Sequence, residues 1–128
     1  METEKKITTK QGKATRAYIA LANMSSKVLP ANAALRLFKL KKALKDAFEF
    51  ESEQEKLYVA ELGGEMDQNG IVKFKDPIGD NKIFQDRRKE LEDTDIEIEL
   101  EVPTVALTEI KELSMSDLEA LEGFVNFK

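Results

Sequence analysis

The stretch ALRLFKLKKALKDAF, residues Ala34–Phe48, decides the fold, because it is long, basic, apolar at regular intervals and free of helix breakers. Leu37, Leu40 and Leu44 follow one another at steps of three and four residues, which is the spacing of one buried helix face. A proline precedes the stretch and a glycine pair follows it at a distance, and both are typical of helix ends. The spacing therefore predicts one long helix over residues 31–62.

Three further apolar side chains of this helix, Leu35, Phe38 and Phe50, lie off the main stripe. A helix that is apolar on more than one side either packs between two layers of its own chain or contacts another chain. The N-terminal helix is one candidate cover for these residues, and a second copy or another protein is the other. We treat the three side chains as a candidate interface.

The same kind of apolar spacing predicts three shorter helices, at residues 13–25, 81–92 and 116–125. In the last of these, Ser116 and Glu119 fit the spacing of a capping box, in which Ser116 would be the N-cap.

The segment DIEIELEV alternates apolar and acidic residues and predicts a strand at residues 95–102. Residues 108–112 are a possible partner strand, and DQNG predicts the turn of a small hairpin with strands near 65–67 and 71–75. The fold class is therefore α+β, with one long central helix, three shorter helices and a small antiparallel sheet. We expect a single domain over residues 1–128, in which residues 1–11 form an N-terminal arm. Within this arm, residues 5–9 are either an edge strand or loose.

Composition excludes several classes of chemistry. The chain of 128 residues has no Cys and no His, so it lacks disulfides, thiolate nucleophiles, the commonest general base and the commonest metal ligands. No apolar run approaches the roughly 20 residues of a membrane span, and the N-terminal sequence lacks the apolar core of a signal peptide. We expect a soluble chain in the cytoplasm of a host cell, with association with a virion as the alternative. We expect no cofactor, no metal and no membrane partner.

Basic side chains are concentrated in the first third of the chain, where residues 1–45 carry 11 Lys and Arg against two Glu. Four of them, Arg36, Lys39, Lys42 and Lys45, are candidate contacts to phosphate groups or to an acidic protein partner. Steps of three residues do not return to the same side of a helix, and no aromatic residue is interleaved for base stacking. A solvated or acid-paired helix face is the competing interpretation.

Acidic side chains dominate the rest of the chain, and Glu97, Glu99 and Glu101 lie on one face of the predicted strand. Their spacing is too wide for three carboxylates of a single strand to share one cation without other ligands. We consider two roles for this acidic face: an exposed sheet surface that prevents edge-to-edge pairing, and a contact for the basic half of the long helix in another subunit.

The order of the segments KVLP, ANAALRLFKLKKAL, DQNG, FQDRRKELEDTDIEIEL and LSMSDLEALEGFV resembles a family of small phage and prophage proteins of unknown function. The resemblance covers roughly residues 12–127. It implies a phage or prophage origin and a compact α+β fold, and it brings no catalytic residue with it.

We therefore expect a non-enzymatic phage or prophage accessory protein that acts through contact with a phage or host protein and forms homo-oligomers. The alternative is a small regulator or anti-defence factor that binds nucleic acid or a nucleotide through the basic first half. An enzyme restricted to carboxylates and Lys is the least favoured hypothesis, and we assign no catalytic residue.

Overall fold

A computed structural model describes residues 6–24, 29–100, 102–106, 108, 110 and 113–128. The helices of this part of the chain are α1 (Gln11–Met24), α2 (Ala31–Glu61), α3 (Gly79–Glu92) and α4 (Met115–Leu121). The strands are β1 (Lys6–Lys10), β2 (Glu65–Met66), β3 (Val72–Lys73), β4 (Asp95–Glu99), β5 (Thr104–Val105) and β6 (Asn126–Phe127). The fold is α+β around one long helix, as the sequence predicts.

The core lies between α2 and the elements that pack across it. Leu37, Leu40 and Leu44 of α2 are buried in one cluster, which confirms the apolar stripe of the long helix. From α1, the small side chains of Ala14 and Ala17 join that cluster and let the two helices approach closely. Strand β4, α4 and the C-terminal segment close the cluster from the other sides.

Glycine is required where α1 passes α3. A Cβ added to Gly12 would lie 2.9 Å from the Cβ of Glu92, which is closer than real side chains approach. The neighbouring Gln11 is almost fully buried, and its Nε2 donates hydrogen bonds to the carbonyl oxygen of Ala47 and to Oγ1 of Thr15. Helix α1 is therefore fixed at its first turn to both α2 and α3.

Strand β4 pairs with the N-terminal strand β1, so the arm of residues 1–11 contributes the edge strand that was one of its two predicted states. The pairing is antiparallel, with Ile7 opposite Ile98 and Lys10 opposite Asp95. The suggestion that residues 108–112 pair with this strand is wrong for its described members, because β1 occupies the paired edge and Thr108 and Ile110 belong to no strand. Residues 109, 111 and 112 lie outside the described residues.

The small sheet predicted from the sequence is divided into three two-stranded sheets within the described ranges. Two are antiparallel, β1–β4 and the β2–β3 hairpin, and the third is a parallel pair of β5 and β6. In the hairpin turn, Oδ1 of Asp67 accepts from the backbone N–H groups of Asn69 and Ile71 at 2.8 and 2.9 Å. The predicted turn is thus confirmed.

The last helix is shorter than predicted and begins earlier. Helix α4 ends at Leu121, and residues 126–127 pair as β6 instead of continuing the helix. The N-cap is Ser114, whose Oγ accepts from the backbone N–H of Asp117 at 3.1 Å, so the assignment of this role to Ser116 is wrong. Both serines have a carboxylate three residues ahead, and the backbone of Ser114 has the extended conformation that an N-cap needs.

Candidate interaction surface

One face of α2 stays exposed along most of the helix. It consists of the exposed residues Leu35, Lys39, Lys42, Asp46, Phe50, Glu53 and Leu57, which we call the outward face. Because the helix turns by about 100° per residue, all seven lie within about 40° of the direction of Asp46. The opposite side of the same helix carries the buried leucines, so the outward face points away from the chain's own core.

The outward face holds large apolar side chains at both ends. Leu35 is 52% exposed near the start of α2, and Phe50 and Leu57 are 47% and 60% exposed in its second half. Exposed apolar side chains that recur on one helix face are typical of a contact with another molecule. Within the described residues α1 does not bury them, so the cover offered by the N-terminal helix is not what the structure shows.

The three predicted interface residues do not form one patch. Phe38, which is 62% exposed, lines an apolar groove of about 240 Å³ between α1 and α2, together with Met24 and Leu29. Phe50 lines a different groove of about 480 Å³ between α2 and β4. Leu35 and Phe50 are separated by fifteen helical steps, or about 22 Å. The sequence identified the exposed residues correctly, and the structure distributes them over two sides of α2.

The four predicted basic contacts are also spread around the helix. Arg36 donates from Nη1 to the carbonyl oxygen of Thr104 at 2.8 Å, and Lys45 lies 3.8 Å from Oε1 of Glu49. Each three-residue step falls about 60° short of a full turn, so Arg36 and Lys45 lie on opposite sides of α2. Lys39 and Lys42 are the two members on the outward face.

A groove of about 720 Å³ between α2 and the segment around Pro103 is lined by several cationic side chains. Arg36, Lys39 and Lys128 line it, but so does the carboxylate residue Glu99. Because the Arg36 guanidinium already donates a hydrogen bond to a carbonyl oxygen, it has fewer N–H donors free for an incoming phosphate. This groove is therefore a weak phosphate site.

The acidic face of β4 is exposed and is paired within the chain. Nζ of Lys10 lies 2.7 Å from Oδ1 of Asp95, and Nζ of Lys6 lies 3.7 Å from Oε1 of Glu99. The hydrogen bond to Asp95 raises the pKa of Lys10 above its ordinary value. Glu97 is exposed opposite Thr8, and Glu101 lies outside the described residues. Among the three candidate glutamates, strand β1 thus pairs the charge of Glu99 and leaves Glu97 exposed.

The acidic second half of α2 is partly neutralised by α3. Arg87 donates to both carboxylate oxygens of Glu61 and lies over the ring of Tyr58 at 5.8 Å. This contact lowers the pKa of Glu61 and raises that of Arg87. Nε of Arg88 donates to Glu55 at 2.9 Å. These arginines therefore dock α3 on α2.

Four charged residues of the outward face make no ion pair within 4 Å with another described residue. They are the basic residues Lys39 and Lys42 and the acidic residues Asp46 and Glu53. Three members of the outward face were not predicted from the sequence: Asp46, Glu53 and Leu57. The available signal was their spacing, because each recurs at three- and four-residue steps from Lys39.

One buried carboxylate stands apart from the surface charges. Glu51 is 6% exposed, and its Oε1 has no hydrogen-bond partner among the described residues. Burial and the neighbouring carboxylate of Glu55 raise its pKa, against the opposing effects of the Thr15 hydroxyl and Arg88. Nothing in this arrangement gathers the ligands of a cation, because the described residues contain no group of three carboxylates suited to a metal ion.

Every helix in the described ranges is too short or too polar to serve as a membrane span. Comparison with family models, with curated proteins and with solved structures gave no match to the chain.

Proposed function

We propose that this chain is a non-enzymatic accessory protein that acts through protein–protein contact, with the outward face of α2 as its contact surface and a homo-oligomer as its working form. The phage or prophage setting of this proposal rests on the sequence resemblance alone.

The exposure of Leu35, Phe50 and Leu57 on one face of a helix whose other side is buried carries the proposal. In a single copy these side chains leave apolar surface in contact with water, which costs a free energy of roughly 25 cal/mol for each Å². Covering that surface with a protein partner removes the penalty.

A nucleic-acid or nucleotide regulator is the second candidate, favoured by the groove lined with Arg36, Lys39 and Lys128. Binding of this kind weakens steeply with salt, because bound phosphates release counterions. Titration of a nucleotide and oligonucleotide panel at low salt tests it. Binding that saturates at one site, and is lost in a Lys128→Glu variant, supports this candidate.

The experiment for protein contact measures the mass of the intact chain by light scattering and sedimentation equilibrium over a wide concentration range. We expect self-association in the wild type and loss of it in a Phe50→Ser/Leu57→Ser variant. Ile78→Ser is the matched control, because Ile78 is 87% exposed but lies outside α2.

Circular dichroism of each variant verifies that the fold is retained. A wild type that stays monomeric at high concentration contradicts the homo-oligomer. Loss of association in Ile78→Ser, with the α2 variant still associated, contradicts the choice of surface.

A further inference from the structure

Antiparallel copies of α2 bring together residues that lie at equal distances before and after a central residue. With Asp46 at the centre of the outward face, the paired positions lie four, seven and eleven residues away: Lys42 and Phe50, Lys39 and Glu53, and Leu35 and Leu57. A two-fold interface requires a surface that is complementary to its own copy. Every helix face has this regular spacing, so the side chains of each pair decide whether the requirement is met.

The charges on this face complement the same two-fold operation. If a second copy of α2 lies antiparallel with its Asp46 opposite the first, Lys39 faces the partner's Glu53 and Leu35 faces the partner's Leu57. Both contacts occur twice, which gives two apolar pairs at the ends and two ion pairs inside them. In a parallel arrangement Lys39 would face Lys39, and Glu53 would face Glu53, so the charges would repel.

The centre of the interface is also accounted for. Lys42 faces the partner's Phe50, where its aliphatic stem can cover the ring and its ammonium group can lie over the ring face. The two Asp46 carboxylates approach one another near the axis. Each lies one turn from Lys42 of its own helix, and that positive charge offsets the repulsion.

This arrangement also accounts for part of the uneven charge along α2, whose first half is basic and whose second half is acidic. Three acidic residues of the second half are paired within the chain: Glu49 by Lys45, and Glu55 and Glu61 by α3. Lys39 and Glu53 have no ion-pair partner among the described residues. An antiparallel copy would supply one to each of them.

From these observations we infer that the chain forms a two-fold dimer by antiparallel pairing of α2 helices over residues 35–57, centred on Asp46. The inference rests on the proposed protein-contact function and names its partner as a second copy of this chain. The paired segment spans 22 helical steps, or about 33 Å.

The absence of Cys from the sequence allows a direct test of the pairing direction by introduced cysteines. A disulfide forms only where Cα atoms approach within about 7 Å. We expect rapid oxidation to a cross-linked dimer when Leu35→Cys and Leu57→Cys variants are mixed, and little cross-linking in either variant alone. Cross-linking of Leu35→Cys alone, with none across the mixture, overturns the antiparallel pairing.

A charge cycle tests the ion pairs independently. Lys39→Glu and Glu53→Lys each place two like-charged contacts in the antiparallel dimer, and we expect each to raise the dissociation constant about tenfold. The double variant Lys39→Glu/Glu53→Lys restores both pairs with reversed sign and is expected to return to the wild-type value. Lys56→Glu is the control, since Lys56 lies on α2 outside the outward face.

The results separate this inference from the proposed function. Wild-type dimers whose stability is unchanged by both single charge reversals overturn the antiparallel pairing and leave protein contact standing. A wild type that stays monomeric at high concentration overturns both.

Discussion

At the scale of single residues, Gly12 is where the packing of α1 on α3 is decided. Replacing a helical glycine by alanine ordinarily stabilises a helix by up to about 1 kcal/mol. Here the added Cβ meets the Cβ of Glu92 at 2.9 Å, and that atom belongs to the fixed stem of its side chain. We expect Gly12→Ala to lower the free energy of unfolding by about 1–3 kcal/mol, as overpacking does.

Urea unfolding measures this effect. Lys13→Ala is the control, because Lys13 is the exposed neighbour of Gly12 in the same helix. If Gly12→Ala instead raises the midpoint of unfolding, the close approach of α1 and α3 is not present in solution.

Glu51 gives the folded chain a pH dependence of known sign. Its pKa is raised by burial and by Glu55, so the folded state binds its proton more tightly than the unfolded chain does. The stability that this proton contributes is complete below the unfolded-state pKa and is lost as pH rises through the folded-state pKa. At higher pH the residue is a buried carboxylate with one oxygen unpartnered.

Glu51→Gln removes that charge and keeps a similar shape. We expect the variant to be more stable than the wild type at pH 8 by about 1 kcal/mol or more, and to match it near pH 3.5. Urea titrations at several pH values measure the difference, with Glu90→Gln as an exposed control on α3. An equal offset at both pH values would show that the effect of the substitution is unrelated to ionisation of Glu51.

At the scale of the elements, the N-cap of α4 is one of two serines that have the same sequence pattern, a carboxylate three residues ahead. Ser114 accepts a hydrogen bond from the backbone N–H of Asp117, whereas Ser116 lies within the helix. Loss of an N-cap costs about 1 kcal/mol. We expect Ser114→Ala to lower the free energy of unfolding by that amount and Ser116→Ala to change it by only a few tenths. Thermal or urea unfolding measures both variants. If Ser116→Ala is the more destabilising of the two, Ser116 is the N-cap in solution.

The helices were predictable because their signal is local. Leu37, Leu40 and Leu44 recur at the period of a helix, and that period alone places them in the core. The strand β4 was predictable from its alternation for the same reason. Its partner was not, because β1 and β4 are far apart in sequence and the pattern of a short strand does not specify which segment it meets.

The faces of the shorter helices were harder to predict than their positions. Ile19 of α1 and Ile83 of α3 are large apolar residues, yet both are 44% exposed. In α1 the buried face is instead formed largely by small residues, including Ala14, Ala17 and Ala20, which a search for large apolar side chains passes over. Close packing on several sides selects small residues there, and only the assembled fold reveals it.

The candidate surface was predictable only in part. Exposure of Leu35, Phe38 and Phe50 follows from their position off the main stripe, which the sequence shows. Which exposed charges remain unpaired depends on contacts between distant elements, such as Arg88 with Glu55 and Lys10 with Asp95. The unpaired state of the charges on the outward face therefore follows from the fold and not from the sequence.

At the scale of the whole molecule, charge asymmetry between the two parts of the chain has two different outcomes. Part of it is neutralised inside the fold, where β1 meets β4 through Lys6 and Lys10. Another part lies along α2, basic at Lys39 and Lys42 and acidic at Glu53, with no ion-pair partner among the described residues. A single chain thus carries its own complement at the opposite end of one helix, which favours assembly of two copies over recognition of an acidic or basic ligand.

The proposed self-association through α2 would couple folding to protein concentration, since a partner that binds only the folded chain stabilises it by mass action. We expect the wild-type Tm to rise across a roughly hundredfold range of protein concentration, and the Tm of Leu57→Ser to stay constant. Differential scanning calorimetry measures both, and Ile78→Ser should keep the wild-type slope because its side chain lies off the outward face. A Tm that is independent of concentration in the wild type would mean that the outward face stays exposed to water, and the exposed leucines at its two ends would then need another partner.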